Sequence, residues 1–260
     1  MSGKDSTKAP EGAAAAKGMT APRRETSLPK RFYKDVATKD EDGGGASLLL
    51  DGKQVRTPGK APLVLPTRKL AEAVAEEWRA QGERIDPATM PLTKLANSAI
   101  DGVRGREEAV IDDIMARVGS DLLCYRAEGP EGLAAVQGTH WDPVLAWAKA
   151  ALDAPLQRTK GVVHVAQPEG SLARIKRELA GLDAFSLAAL HVMTQLSGSA
   201  LLALAVALRR LTPEEAWKAA HVDEDWQVSL WGEDADAAAR RENRRRDFDN
   251  SARLLTLSRP

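Results

Sequence analysis

The pattern of apolar and polar positions changes period at Thr67. Before it, the signals are those of strands. Residues 31–36 (Arg31-Phe32-Tyr33-Lys34-Asp35-Val36) have the aromatic and β-branched character of a strand. After a flexible turn at residues 42–45, Ser47-Leu48-Leu49-Leu50 runs into Asp51-Gly52, a pair suited to a two-residue hairpin turn because both central positions need positive φ. Residues 53–57 are the expected return strand, and residues 62–66, flanked by prolines, an edge piece. The pattern predicts a small antiparallel sheet.

From Thr67 onward the apolar spacing is helical. Thr67 is placed to cap a helix with Leu70, Val74 and Trp78 inward, stopping near Gly82. Pro91 opens a second, with Leu92, Leu95, Ala96, Ala99, Ile100 and Val103 on one face. A third follows Gly105, with Val110, Ile111, Ile114, Met115 and Val118 inward. Asp142-Pro143 reads as a cap followed by a first-turn proline, starting a new helix there. Residues 160–167 alternate weakly around Val163 and Val165, as either a short strand or an extended linker. Ser171 starts another stripe of Leu172, Ile175 and Leu179. Thr212-Pro213-Glu214-Glu215 combines an N-cap, a first-turn proline and a capping-box glutamate.

Residues 184–208 hold no charge and are long enough to cross a bilayer. However, His191, Thr194, Gln195, Ser197, Gly198 and Ser199 would sit at its centre, where unpaired polar groups are costly. Two buried helices meeting at Ser197-Gly198-Ser199 account for the same residues without stable membrane insertion. The last stretch begins acidic and turns basic from Arg240, matching a helix macrodipole, with Asp236/Arg240 and Glu242/Arg246 spaced for i,i+4 pairs. The predicted fold class is α+β. A disordered tail (1–30) precedes a small antiparallel β-rich domain (31–104) and an all-helical domain (105–260).

Composition narrows the chemistry. With 43% apolar and 28% charged residues among 260, a sizeable core is affordable only outside residues 1–30, where Met19 and Leu28 are the larger apolar groups. Lys plus Arg equals Asp plus Glu, 37 each, so no global field favours nucleic acid or an anionic membrane. The one cysteine, Cys124, excludes an intramolecular disulfide framework, and its apolar neighbours mark it as a small buried residue. Phosphate loops, dinucleotide glycine fingerprints, paired-histidine zinc helices and nucleophile elbows are missing. His140, His164, His191 and His221 are dispersed, and His191 is expected to be a hydrogen-bonded core residue. No cofactor is implied.

Two acidic clusters, 223–225 and 233–236, stand out. Carboxylates at this density suit a hard divalent ion, which makes a metal-assisted hydrolase the alternative reading. The plainer one is that Asp223 caps a helix and the second cluster sits at the positive end of another. The arginine run from Arg240 lacks interleaved aromatics and reads as a solvated face. Trp226 and Trp231 alternate with polar and acidic groups. They fit either an interface hot spot or interdomain packing.

At these residues the chain resembles a known family. The motifs are Arg31-Phe32-Tyr33-Lys34, Met90-Pro91-Leu92-Thr93-Lys94-Leu95-Ala96, Ala99-Ile100-Asp101, Asp121-Leu122-Leu123-Cys124-Tyr125-Arg126-Ala127 and Trp141-Asp142-Pro143-Val144-Leu145. Gly198-Ser199, Val222-Asp223-Glu224-Asp225-Trp226-Gln227 and Trp231-Gly232-Glu233-Asp234 complete the series. In order and spacing they are similar to the assembly chaperones of the F-type ATP synthase catalytic head, found in mitochondria and alphaproteobacteria. The resemblance implies a non-enzyme that binds no nucleotide. It implies an ATP-independent chaperone of the ATP synthase alpha subunit, shielding the surface that the beta subunit later covers. Glu224, Asp225, Trp226, Gln227, Trp231, Glu233, Asp234 and Asp236 are the expected partner-binding group. A monomer is expected, in the bacterial cytoplasm or, in a eukaryote, the mitochondrial matrix.

Overall fold

The hairpin turn forms where Asp51-Gly52 calls for it, with φ of 48° and 76° at the two positions. The computed structural model describes residues 28–259, so nearly all of the expected 1–30 tail lies outside the described residues. Strands β1 (Val36–Asp40), β2 (Ala46–Leu50), β3 (Lys53–Gln54) and β4 (Val64–Leu65) make one antiparallel sheet. Central β2 pairs with β1 from Val36↔Leu50 to Asp40↔Ala46, and on its other side with β3 and then β4.

The first strand lies later than the pattern predicts, at 36–40 rather than 31–36. The aromatic signal has another use. Tyr33 is buried, its hydroxyl donates to the Trp78 carbonyl at 2.7 Å, and the Arg31 guanidinium lies 4.6 Å from its ring centroid. Arg31 also donates to the Gln81 carbonyl at 2.6 Å. Residues 31–34 therefore fasten the chain to the end of the first helix instead of joining the sheet.

Helix α1 (Arg68–Arg79) is capped by Thr67, whose Oγ1 accepts from the Leu70 amide. It lays Leu70, Ala71, Val74 and Ala75 on the sheet. Its Glu77 carboxylate accepts from the amides of Leu92 and Thr93 at 2.7 and 2.8 Å, closing the N-terminus of α2 (Pro91–Ser98). A π-turn over Ala99–Val103 and then α3 (Glu107–Val118) follow.

Strand β5 (Tyr125–Arg126) pairs in parallel with β6 (Thr159–Lys160) around α4 (Glu131–Ala151). Here the expected start at Asp142-Pro143 is corrected, since Pro143 lies inside α4. An interior proline removes a hydrogen bond and crowds the preceding turn, a cost of about 3 kcal/mol. Burial of Gln137, Trp141, Val144, Leu145 and Ala148 on one unbroken face outweighs it. Asp142, read as a cap, instead accepts from Arg126 and Arg158 at 2.6 and 2.7 Å.

Helices α5 (Glu169–Ala180), α6 (Ala184–Ser197), α7 (Ala200–Ala207), α8 (Pro213–Ala220), α9 (Val222–Trp231) and α10 (Ala235–Leu257) complete the chain. The uncharged stretch is two buried helices, broken at Gly198 with φ of 71° and restarted by the Ser199 cap. Every residue of α7 is buried. Among the described residues, no helix is long and apolar enough to cross a membrane. The Thr212 capping box opens α8 as predicted. The expected i,i+4 pairs at Asp236/Arg240 and Glu242/Arg246 do not form, whereas Arg245 pairs with Asp249. One continuous core runs from Ala46 of β2 to Leu255 of α10.

Candidate functional site

Helix α10 folds back beside α9 through Gly232, Glu233 and Asp234. Gly232 has φ 84° and ψ 173°, a backbone region open essentially to glycine alone. Asp234 caps α10 by accepting from the Ala237 amide at 2.8 Å. Across the elbow, Arg241 pairs with Asp225 at 2.6 Å, and Arg244 reaches both Glu224 oxygens at 3.0 Å. These arginines are the residues that sequence reasoning missed. In sequence the basic run reads as a solvated face, and the signal that points to pairing is the acidic run, Gly232 and basic run in succession.

Behind the elbow the base is packed and hydrogen-bonded. His221 is buried, stacks on Trp217 with ring centroids 3.8 Å apart and pairs through Nδ1 with the Trp217 carbonyl at 2.8 Å. Burial pushes its pKa below the ordinary imidazole value, which leaves a neutral ring at pH 7. Asp223 does not cap α9. It accepts from buried Gln137 of α4 at 2.7 Å, tying the two helices. Trp141 donates its indole N–H to the Ala219 carbonyl at 2.7 Å.

The two tryptophans of α9 part ways. Trp226 turns toward α4, where a Cβ on Gly132 would lie 2.7 Å from its ring, so only glycine leaves the indole room. Trp231 points outward and is 78% exposed, with Val228 and Leu230 exposed nearby. It lines a groove of about 570 Å³ between α9 and α10. Glu224, Gln227, Glu233 and Asp234 line the same groove, along with Ala237, Ala238 and Arg240. Asp225 faces a neighbouring hollow beside Trp217, and Asp236 is exposed in the first turn of α10. The structure thus brings five of the eight expected residues into one groove. Trp226 lies behind it, and Asp225 and Asp236 lie beside it.

The lining of this groove mixes apolar Val228, Trp231, Ala237 and Ala238 with charges of both signs. Among the described residues, no three His, Cys, Asp or Glu side chains converge as a metal ion requires, so the hydrolase alternative lacks a ligand set. The acidic cluster at 223–225 is already engaged by Gln137, Arg241 and Arg244. Cys124 is fully buried, and burial pushes its thiol up to about 12, so it stays protonated. His191 departs from its expected place in the core. It is partly exposed on α6, 3.9 Å from Asp113 and beside Gln195, in a polar hollow against α3.

Comparison with known proteins agrees on one relationship. The sequence pattern of the ATP12 chaperone protein family matches residues 30–149. Atp12 from Paracoccus denitrificans is 43% identical over 89% of this chain and 99% of that one, with a TM-score of 0.85. The Agrobacterium tumefaciens protein Atu1473 is 49% identical over 88% of this chain and 86% of that one, with a TM-score of 0.84.

Proposed function

This chain belongs to the ATP12 chaperone family, and from that premise we propose that it holds the newly made alpha subunit of the F-type ATP synthase through the α9–α10 elbow. On this reading it covers the alpha-subunit surface destined for the beta subunit, in the bacterial cytoplasm or the mitochondrial matrix, and works as a monomer. An unpartnered subunit exposes an apolar patch that would self-associate. A binder that hides the patch and yields to the final partner needs only mass action for release, with no nucleotide turnover.

The observation that supports this is Trp231. A large ring left 78% exposed, with Val228 and Leu230 beside it, sits on a helix whose base is pinned by Gln137, Arg241 and Arg244. A helical backbone fixed at its base limits what must be ordered on binding to the side chain itself, and aromatic anchors dominate interface energetics. The lining carries both signs, Glu233 and Arg240 among them, which favours a partner edge of mixed charge over a polyanion.

The test is refolding of denatured alpha subunit in the presence of this chain, followed by light scattering and by co-elution. The wild-type chain keeps alpha subunit soluble and co-elutes with it. Trp231→Ser weakens capture about tenfold or more while the melting temperature stays put, since the ring packs on nothing it would leave empty. Alpha subunit that aggregates equally with and without the wild-type chain overturns the proposal.

A further inference from the structure

Where α7 ends, the chain turns back and places three arginines around one hollow. The turn is tight. The Arg209 amide donates to the Val206 carbonyl at 3.0 Å and the Arg210 amide to the Ala205 carbonyl at 2.8 Å. Arg209 takes φ 57°, the left-handed place that closes a helix and usually falls to glycine or asparagine. From the far end of α10, Arg259 reaches the same spot and donates to the Ala207 carbonyl. Arg209, Arg210 and Arg259 together line a hollow of about 350 Å³, along with Leu211, Leu255 and Thr212, the cap of α8.

Like charges gathered by folding call for a counter-charge, and no carboxylate supplies one in contact. The arginine ion pairs of the helical part of the chain go to Arg126, Arg158, Arg174, Arg241, Arg244 and Arg245. Among the described residues, Arg209, Arg210 and Arg259 form none. The two carboxylates whose charge reaches the hollow are spent as caps. Glu215 accepts from the Thr212 amide and hydroxyl at 2.8 and 3.0 Å, and Asp183 from the Ser186 amide at 2.9 Å. Burial and the Arg209 charge lower the pKa of Arg259, and Asp183 offsets them only in part. Arg259 commits one N–H to Ala207, and its other donors meet no acceptor among the described residues.

We propose that this hollow is a binding site for a phosphate group, gripped by the guanidinium groups of Arg209, Arg210 and Arg259. Planar guanidinium groups meet phosphate oxygens through paired, charge-assisted hydrogen bonds. A single carboxylate would neutralise one of the three charges, whereas a phosphate carries close to two and offers three oxygens. The positive end of α8 opens onto the hollow and acts in the same sense. The carbonyl end of α7 would oppose it, but there Arg259 covers the Ala207 carbonyl. The group can be free in solution or carried on the head of an anionic lipid, since the chemistry that recognises it is the same. The site is independent of the client reading, because it shares no lining residue with the groove at Trp231.

The experiment compares the full chain with the R209G/R210Q double variant. Glycine suits the left-handed φ and position 210 is exposed, so the melting temperature should hold. One arm titrates inorganic phosphate calorimetrically at low, constant ionic strength, with chloride as the matched control. The other sediments each chain with phosphatidylcholine vesicles, with and without phosphatidic acid. Wild-type chain that binds phosphate, with the variant about tenfold weaker or worse, supports the site and a soluble source. Wild-type chain that sediments with the phosphatidic acid vesicles alone, while the variant stays in solution, supports the site and a lipid source. Wild-type chain that binds neither, or a variant that binds as well as the wild type, overturns it. Both chains should capture alpha subunit equally. A variant that loses capture, with no phosphate bound by the wild type, would give these arginines to the client and overturn the phosphate assignment.

Discussion

Asp121 shows how a single side chain is set by what surrounds it. It is fully buried at the start of a short helical turn. It accepts from the Leu123 amide at 3.1 Å, the Ser199 hydroxyl at 2.7 Å and the Leu201 amide at 3.0 Å. Those donors favour the anion, but burial works against it more strongly, and the pKa rises from 3.8 to about 6. The folded chain therefore binds this proton more tightly than the unfolded chain. The resulting stability is complete below pH 3.8 and is lost as pH rises through about 6, about 3 kcal/mol in all. Urea unfolding of the wild type and Asp121→Asn at pH 5 and pH 7 checks this. The wild type should gain about 1 kcal/mol more than the variant on going to pH 5. Equal pH slopes would show that the donors prevail over burial. Trp226 and Trp231 make the same point about surroundings, since the ring that meets Gly132 is half-buried and the ring five residues on is bare.

The elbow between α9 and α10 depends on Gly232 more than on its ion pairs. Pairs this exposed contribute at most about 1 kcal/mol each, since water and salt screen them. The backbone at φ 84° and ψ 173° has no such substitute, and a side chain there costs about 1–3 kcal/mol. Gly232→Ala should leave the core's melting behaviour nearly intact while amides of α9 exchange at least about fivefold faster. Unaltered α9 exchange would mean that Arg241 and Arg244 suffice to hold the elbow. Other elements were legible because their signals are local. The Thr212 capping box and the Thr67 cap are contacts between neighbours in sequence, so the residue types alone reveal them. Pro143 was not legible, because the burial that overrules it comes from other helices.

Across the whole molecule, α10 ties the helices that directly follow the sheet to those that come later in the chain. It packs on α6, α2 and α1, and the Leu257 carbonyl accepts from the Thr67 hydroxyl that caps α1. The sheet side and the helical side therefore share one core, and we expect them to melt in one transition. Near-ultraviolet signals from the tryptophans, Trp78 on α1 among them, and far-ultraviolet ellipticity should give one midpoint; two separated midpoints would show units that fold alone. The family relationship follows from motifs in order, which is a property of the sequence. So are the α+β class, the hairpin at Asp51-Gly52, the break at Gly198 and the helical stripes, each encoded within one turn or one strand of chain. Tertiary structure alone decided that residues 31–34 clamp α1, that α4 runs through Pro143, that Arg241 and Arg244 bracket the acidic cluster, and that Trp231 and the valines at 162 and 163 face outward. The physical reason is that caps and turns are satisfied by adjacent residues, whereas burial and ion pairing depend on groups that only folding brings close.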